Sequence, residues 1–308
     1  MKLLDLLKSR MSVAEEGEHL AQRLSRIPGF RVLRELQLTG LVDQLAHRSD
    51  DLRTVAIVDT ETTGLDPNCD KVVEIAIQRL SVDLFGRIVE VERPRSWRED
   101  PARPMPPRLT LLTGLTDEDL AGCAFDDDAI TILLGEVDII VAHNAAFDRP
   151  FIDLRFPILR NKAWGCSLSQ LDWLILGFDG RALGHLLLQA GWYFQGHRAE
   201  QDVQALSTLL GCAARDGRTI MSHLLERCDR PNFLVAAVGA PFDAKDLLKV
   251  RGYRWNAERR HWWREIDEDD IQGEKIWLDQ VVYKSSNGQP TLTKITASER
   301  FSRFVNGS

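Results

Sequence analysis

The chain reads as an α/β protein, a mixed sheet covered by helices, with an N-terminal helical segment and a small C-terminal α+β domain. Three observations carry that reading. An unbroken apolar run, Val55-Ala56-Ile57-Val58, has the length and β-branched content of a buried strand, and two further strand patterns follow it. Helix and strand signals then alternate to about residue 214 in a βββαβαβα-like order, which suits helices packed on a mixed sheet. Beyond about residue 230 the composition changes, with four of the eight tryptophans (Trp255, Trp262, Trp263 and Trp277) in the final quarter.

In chain order, residues 1–50 carry helical apolar spacing at Leu20, Leu24 and Ile27, then at Val32, Leu33, Leu36, Leu38, Leu41 and Leu45. Pro28-Gly29 divides them, so two helices are expected. After the strand at 55–58, strands are expected near 72–82 and 86–92, joined around Phe85-Gly86, which makes an antiparallel start to the sheet. The stretch 93–107, rich in proline and arginine, reads as a loop. Thr116 and Asp126 are plausible helix N-caps. Strands follow at 138–142 and around 163–166. Past residue 230 the pattern gives a helix at 243–250, strands at 253–256 and 261–266 about a turn at Asn256-Ala257-Glu258, and a helix at 268–282. The expected divisions are 1–50, 51–215 and 230–308, without internal repeats.

With 308 residues and 44% hydrophobic content, the composition is that of a folded globular protein. No apolar run approaches the length of a bilayer span, and the opening Met-Lys-Leu-Leu-Asp-Leu-Leu-Lys is interrupted by charge, so no membrane association and a cytoplasmic location are expected. The five cysteines are odd in number, scattered and never in a Cys-x-x-Cys pair, which argues against a disulfide framework and a zinc site. A net charge of -7 counts against a nucleic-acid partner in general, but the balance is uneven. Between residues 245 and 264, seven basic residues face two acidic ones, interleaved with Tyr253 and three tryptophans.

Three short stretches concentrate the chemistry. In Asp59-Thr60-Glu61-Thr62-Thr63-Gly64, residues two apart on a strand project to one side, so Asp59 and Glu61 can share a cation. In His143-Asn144-Ala145-Ala146-Phe147-Asp148 an apolar strand ends and a helix begins, with Asp148 in its first turns and Asn144 at the cap position. His197 precedes a third helix, with Asp202 roughly one turn inside it. Taken singly, a strand-end acid, a capping residue and a lone histidine all have ordinary structural explanations. Together, four convergent carboxylates would repel one another unless cations held them. Hard oxygen ligands point to magnesium or manganese, and such ions assist phosphodiester hydrolysis. An imidazole of near-neutral pKa is suited to take a proton from the attacking water.

The order and spacing of these motifs, over about residues 54–213, resemble the histidine-bearing (DEDDh) class of the DEDD 3′-5′ exonuclease superfamily. The proofreading subunit of bacterial DNA polymerase III, exonuclease X, RNase T and oligoribonuclease belong to it. The resemblance implies a ribonuclease H-like fold and two Mg²⁺ or Mn²⁺ ions held by Asp59, Glu61, Asp148 and Asp202, with His197 as the base. It also implies that the Thr60 backbone and the side chains of Thr63, Leu65, Asn144 and Phe147 hold the terminal nucleotide. Leu112-Thr-Gly-Leu-Thr-Asp-Glu-Asp-Leu120 is similar to the family's segment before the second motif.

The tail pattern Lys-x-x-x-Lys-x-Arg-Gly-Tyr-Arg-Trp-Asn followed by Arg-Arg-His-Trp-Trp-Arg looks like small helix-plus-hairpin modules appended to nucleic-acid enzymes. Aromatics that stack bases and cations that meet phosphates suit single-strand binding, so Arg251, Tyr253, Arg254, Trp255, Trp262 and Trp263 are the accessory candidates. The expected function is removal of nucleoside 5′-monophosphates from 3′ ends of single-stranded or frayed DNA, in repair or proofreading, with a DNA polymerase as a further candidate partner. The alternatives are an exoribonuclease of the same superfamily and a non-catalytic binding module.

Overall fold

A computed structural model of the chain describes residues 13–36, 51–194, 196, 198–284 and 287–303. Helix α1 (Val13–Leu24) and the short strand β1 (Arg34–Glu35) precede β2 (Arg53–Thr62), β3 (Val72–Val82), β4 (Ile88–Val91) and β5 (Arg95–Arg98). Helices α2 (Pro107–Thr113), α3 (Asp117–Leu120) and α4 (Asp127–Gly135) lead to β6 (Ile139–Ala142), α5 (Ala145–Arg155) and β7 (Trp164–Cys166). Next come α6 (Trp173–Leu176), α7 (Leu183–Gln189), β8 (Trp192–Tyr193), α8 (Ala199–Gly211) and α9 (Ile220–Asp229). The remainder comprises β9 (Asn232–Val238), α10 (Lys245–Val250), β10 (Arg254–Asn256), β11 (His261–Asp267), α11 (Ile271–Trp277) and β12 (Gln289–Ile295).

The main sheet runs β4-β3-β2-β6-β7, with β5 also on β3. Strands β2, β3 and β4 are antiparallel neighbours, whereas β6 and β7 run parallel to β2. This is the mixed order of a ribonuclease H-like sheet. The apolar run in β2 is continuous because both faces are covered. Val55 and Ile57 pack with Ala199, Val203 and Leu206 of α8, while Ala56 and Val58 pack with Phe151 and Ile152 of α5. Odd-numbered residues of β2 therefore face α8, and even-numbered ones face α5.

Thr116 and Asp126 both cap helices through their side chains, as the sequence indicates. Two expectations need correction. Residues 31–36, expected to be helical, are not: Arg34–Glu35 pair in parallel with Trp192–Tyr193. The remainder of that second helix falls at 37–50, outside the described residues. The proline-rich 93–107 stretch contains a strand, because β3 is longer than β4 and leaves its Glu74–Ile77 edge open for Arg95–Arg98. Trp97 anchors the strand by packing on the α5-side core. No helix among the described residues is long and apolar enough to cross a membrane.

The second sheet, β10-β11-β9-β12, is antiparallel and encloses its own apolar cluster around Val235, Leu248, Tyr253, Ile266 and Leu278. Beyond β12 the chain returns to the main sheet. Trp164 N–H donates to Ala297 O at 2.9 Å, and Phe301 packs on the α5-side core. Two buried arginines lock this return. Arg149 of α5 donates to the carbonyls of Arg160, Ser298 and Arg300 and pairs with Asp153. Arg300 in turn donates to the carbonyls of Cys228 and Arg230 and to Asn232 Oδ1. Removing either guanidinium would leave buried carbonyls without donors.

Replacement Arg300→Leu is expected to cost about 3 kcal/mol, because several buried acceptors lose their partner together. The exposed Arg53–Asp229 pair, removed by Arg53→Ala, should cost less than about 1 kcal/mol. Urea unfolding of the two variants checks the ranking.

Candidate active site

The carboxylates meet where β2 and β6 end. These strands are parallel, so their C-terminal ends lie at the same edge of the sheet, and α5 begins there directly after β6. Asp59 and Glu61 continue the α8-facing row of Val55 and Ile57, which turns both toward the helix that carries Asp202. Oxygens of Asp59, Glu61 and Asp202 all lie within 4.8 Å of one another. Asp148 stands outside that tightest group. Its Oδ1 accepts from Thr60 N at 3.2 Å and from Thr60 Oγ1 at 2.8 Å, which fixes α5 against β2.

The electrostatics follow from burial and like charge. Burial first, then the charges of Asp148, Asp202, Glu61 and Glu74, hold the Asp59 carboxyl well above the ordinary carboxylate range. Burial, with Asp202, Glu74 and Asp148, pushes Glu61 up to about 8. Burial also raises Asp148 to about 7, although the Thr60 donors work against the rise. A cleft of hard oxygen donors that resist ionisation together fits a divalent cation, whose charge would remove the repulsion. Asp202 is itself oriented by Arg198 N–H, which donates to its Oδ2 at 3.0 Å. His197 lies outside the described residues. A Cβ on the preceding Gly196 would stand 3.9 Å from Asp202 Oδ1, so the chain at 196 passes close to that carboxylate.

The positions expected to hold a nucleotide divide. Leu65 is 81% exposed at the rim. Asn144 is exposed, has a left-handed φ of 119° and makes no side-chain cap bond, which sets aside the capping explanation. Phe147 is half-buried against Phe151, with ring centroids 5.1 Å apart. The Thr60 N–H is committed to Asp148, as described above. Thr63 needs correction: it is buried, and its hydroxyl is taken up by Lys71 N–H, Asp70 and Arg103. Its hydroxyl is thereby committed to the loop. A Cβ on Gly64 would run into the Asp70 carboxylate, which explains glycine at that turn.

The accessory set divides as well. Tyr253 is buried, with its hydroxyl donating to Glu274 Oε1 at 2.9 Å, and Arg251 donates to both Glu274 oxygens while lying 4.3 Å over the Trp277 ring. These two are core-building residues, contrary to the binding role expected of them. Trp262 packs on the same core. Arg254 and Trp255 are exposed, and Trp263 is half-buried on the other face of the sheet.

Sequence reasoning missed Glu74. It pairs in register with Glu61, is 3% exposed, accepts from Arg98 Nε at 2.8 Å and lies 3.4 Å from Ala199 N at the start of α8. An acid within the apolar run Val72-Val73-Glu74-Ile75-Ala76-Ile77 was the available signal, since buried strands carry charge only where it is paired.

A family model described as "Exonuclease" (RNase_T) matches residues 56–210. The DNA polymerase III PolC-type of Thermotoga petrophila is 30% identical over 170 residues, covering 49% of this chain and 11% of that protein. The PolC-type polymerase of Bacillus subtilis is 32% identical over 174 residues, covering 54% and 12%. The chain thus spans about a tenth of the length of these relatives. Among solved structures, exonuclease X in complex with 5′ overhanging duplex DNA aligns at 23% identity with a TM-score of 0.37, over 55% of this chain and 99% of that one.

The raised carboxylates make stability depend on pH. Glu61 has an ordinary value of 4.5 and a folded value of about 8, so its contribution is full below 4.5 and is lost as pH rises through about 8. Metal-free protein should therefore melt at falling temperature across that window, and added Mg²⁺ or Mn²⁺ should restore the loss most at its alkaline end. Glu61→Gln should raise the metal-free melting temperature near pH 8 and diminish the gain from metal. Differential scanning calorimetry with and without a chelator checks both.

Proposed function

The chain belongs to the DEDDh-type 3′-5′ exonuclease superfamily, through the exonuclease family matched over residues 56–210, and we propose that it removes nucleoside 5′-monophosphates from the 3′ ends of single-stranded or frayed DNA. The observation that carries this reading is the convergence of Asp59, Glu61 and Asp202 within 4.8 Å beside the buried Asp148. Asp59, Glu61, Asp148 and Asp202 would hold two Mg²⁺ or Mn²⁺ ions. When bound, these ions would supply charge stabilisation for the developing phosphorane and favour ionisation of the attacking water.

The remaining work falls to the chain itself. Thr60 fixes Asp148 through two hydrogen bonds, so the carboxylate need not reorganise during the reaction. Exposed Leu65 and half-buried Phe147 offer apolar surface to the terminal base and sugar, and Asn144 offers an amide to its polar edge. His197 serves as general base and accepts the proton of the attacking water. The division at 51–215 and 230–308 belongs to the same reading, supported by the separate apolar clusters of the two sheets. A DNA polymerase as partner is suggested only by the PolC-type relatives.

The test is digestion of matched 5′-labelled single-stranded DNA and RNA with Mg²⁺ or Mn²⁺. The expected result is a ladder shortening from the 3′ end of DNA, absent with Asp59→Asn. Faster shortening of RNA would favour the exoribonuclease alternative, and intact substrate in every lane would favour a binding module. His197→Ala is expected to lower the rate by about a hundred- to ten-thousand-fold, the usual range for a general base, while retaining metal binding by calorimetry.

A further inference from the structure

The second sheet has two different faces. Trp262 pairs with Trp255 on one side and Ala237 on the other, and this row turns inward to the core that holds Val235, Ala237 and Ile266. Alternation turns the next row outward, where Arg254 pairs with Trp263 and Trp263 with Ala236, opposite Thr291. Trp263 is therefore a large aromatic on the face away from the apolar cluster. That face forms one wall of a groove of about 800 Å³ whose other wall includes Ala146 and Pro150 of α5, with Arg303 also lining it.

The groove lies beside the carboxylate cleft. Helix α5 also carries Asp148, and Arg303 Nη1 reaches Asp66 Oδ1 at 3.7 Å, in the loop just past Leu65. Arg254 and Arg303 line the groove beside Glu258 and Glu265, whereas Arg264, also at its edge, belongs to the inward row and donates to Arg251 O at 2.8 Å. The lining thus joins two arginines, Arg254 and Arg303, to the aromatic side chain of Trp263.

We propose that this groove takes the single-stranded stretch of a polynucleotide lying upstream of the 3′-terminal nucleotide, with phosphates at Arg254 and Arg303 and a base stacked on Trp263. The proposal rests on the exonuclease reading of the neighbouring cleft. A polyanion complements the arginines, and an indole face accepts any base, as a non-specific track requires. The contribution of the second sheet comes from its outer face, because Arg251 and Tyr253 are engaged with Glu274.

The full-length protein is titrated, under chelation to prevent hydrolysis, against 5′-fluorescein oligothymidylate and oligouridylate of about 16 nucleotides, the upper end of site sizes for comparable single-strand grooves. Fluorescence anisotropy should show Kd weakened about tenfold by Trp263→Ala, the order expected for one lost stacking platform. Arg254→Glu, at an exposed position that leaves the core intact, should weaken binding comparably and flatten its salt dependence. Equal losses on both oligomers indicate recognition of the phosphates and of stacking common to both, and a loss confined to one identifies that polymer as the groove's ligand. Unchanged Kd in both variants would overturn the groove assignment. If both variants weaken binding as expected yet the wild-type protein releases no nucleotide when metal is restored, the exonuclease reading alone fails.

Discussion

Repulsion among carboxylates in a partly buried cleft is the constraint around which the rest of the structure is organised. Asp59, Glu61, Asp148 and Asp202 come from three elements that meet at one edge of the sheet, where Asp148 is buried and Asp59, Glu61 and Asp202 are half-buried. Left alone, such a group would relax by separating or by holding protons. The fold prevents separation: β2 is paired with β3 along its length, Thr60 ties α5 to β2, and Glu74 reaches the start of α8 while Arg98 holds it from β5. The raised carboxylates show that protonation is the remaining relief without a cation, and a divalent ion offers a stronger one.

The same logic extends to the far end of the chain. Helix α5 is held on the active-site side through Asp148 and on an adjoining face through Arg149, whose guanidinium donates to carbonyls of the returning segment at 298–300. Successive residues of one helix thus bind the cleft and the C-terminal return. Arg300 completes the lock by gathering carbonyls at the junction of α9 and β9. The second sheet is consequently fastened to the main one, and its outer face, with Arg254 and Trp263, lines a groove shared with Ala146 and Pro150 of α5.

Much of this was legible in the sequence because its signals are local. The apolar run before Asp59 needs both faces covered, so it marks a central strand, and the caps at Thr116 and Asp126 act within three residues. The two-residue spacing of Asp59 and Glu61 states their shared face directly. What was not legible depends on partners distant in the chain. Strand β5 exists because β3 leaves an edge open, and nothing in Arg95-Ser-Trp-Arg announces that vacancy. Tyr253 and Arg251 looked like surface ligands until Glu274, more than twenty residues onward, was placed beneath them. Thr63 sits in the motif but bonds to Asp70 and Lys71 of its own loop. Strands β9 and β12 were not among the expected elements, although β9 is the largely apolar run Asn-Phe-Leu-Val-Ala-Ala-Val; β12, richer in polar residues, is a strand through its pairing with β9.

The most direct measurement of the central claim is a Mn²⁺ titration followed by electron paramagnetic resonance, comparing wild type with Asp59→Asn. Two bound ions per chain in the wild type, with spin coupling that the substitution abolishes, is the expected result. Wild-type protein that leaves all Mn²⁺ free, or Asp59→Asn that binds as the wild type does, would contradict the account.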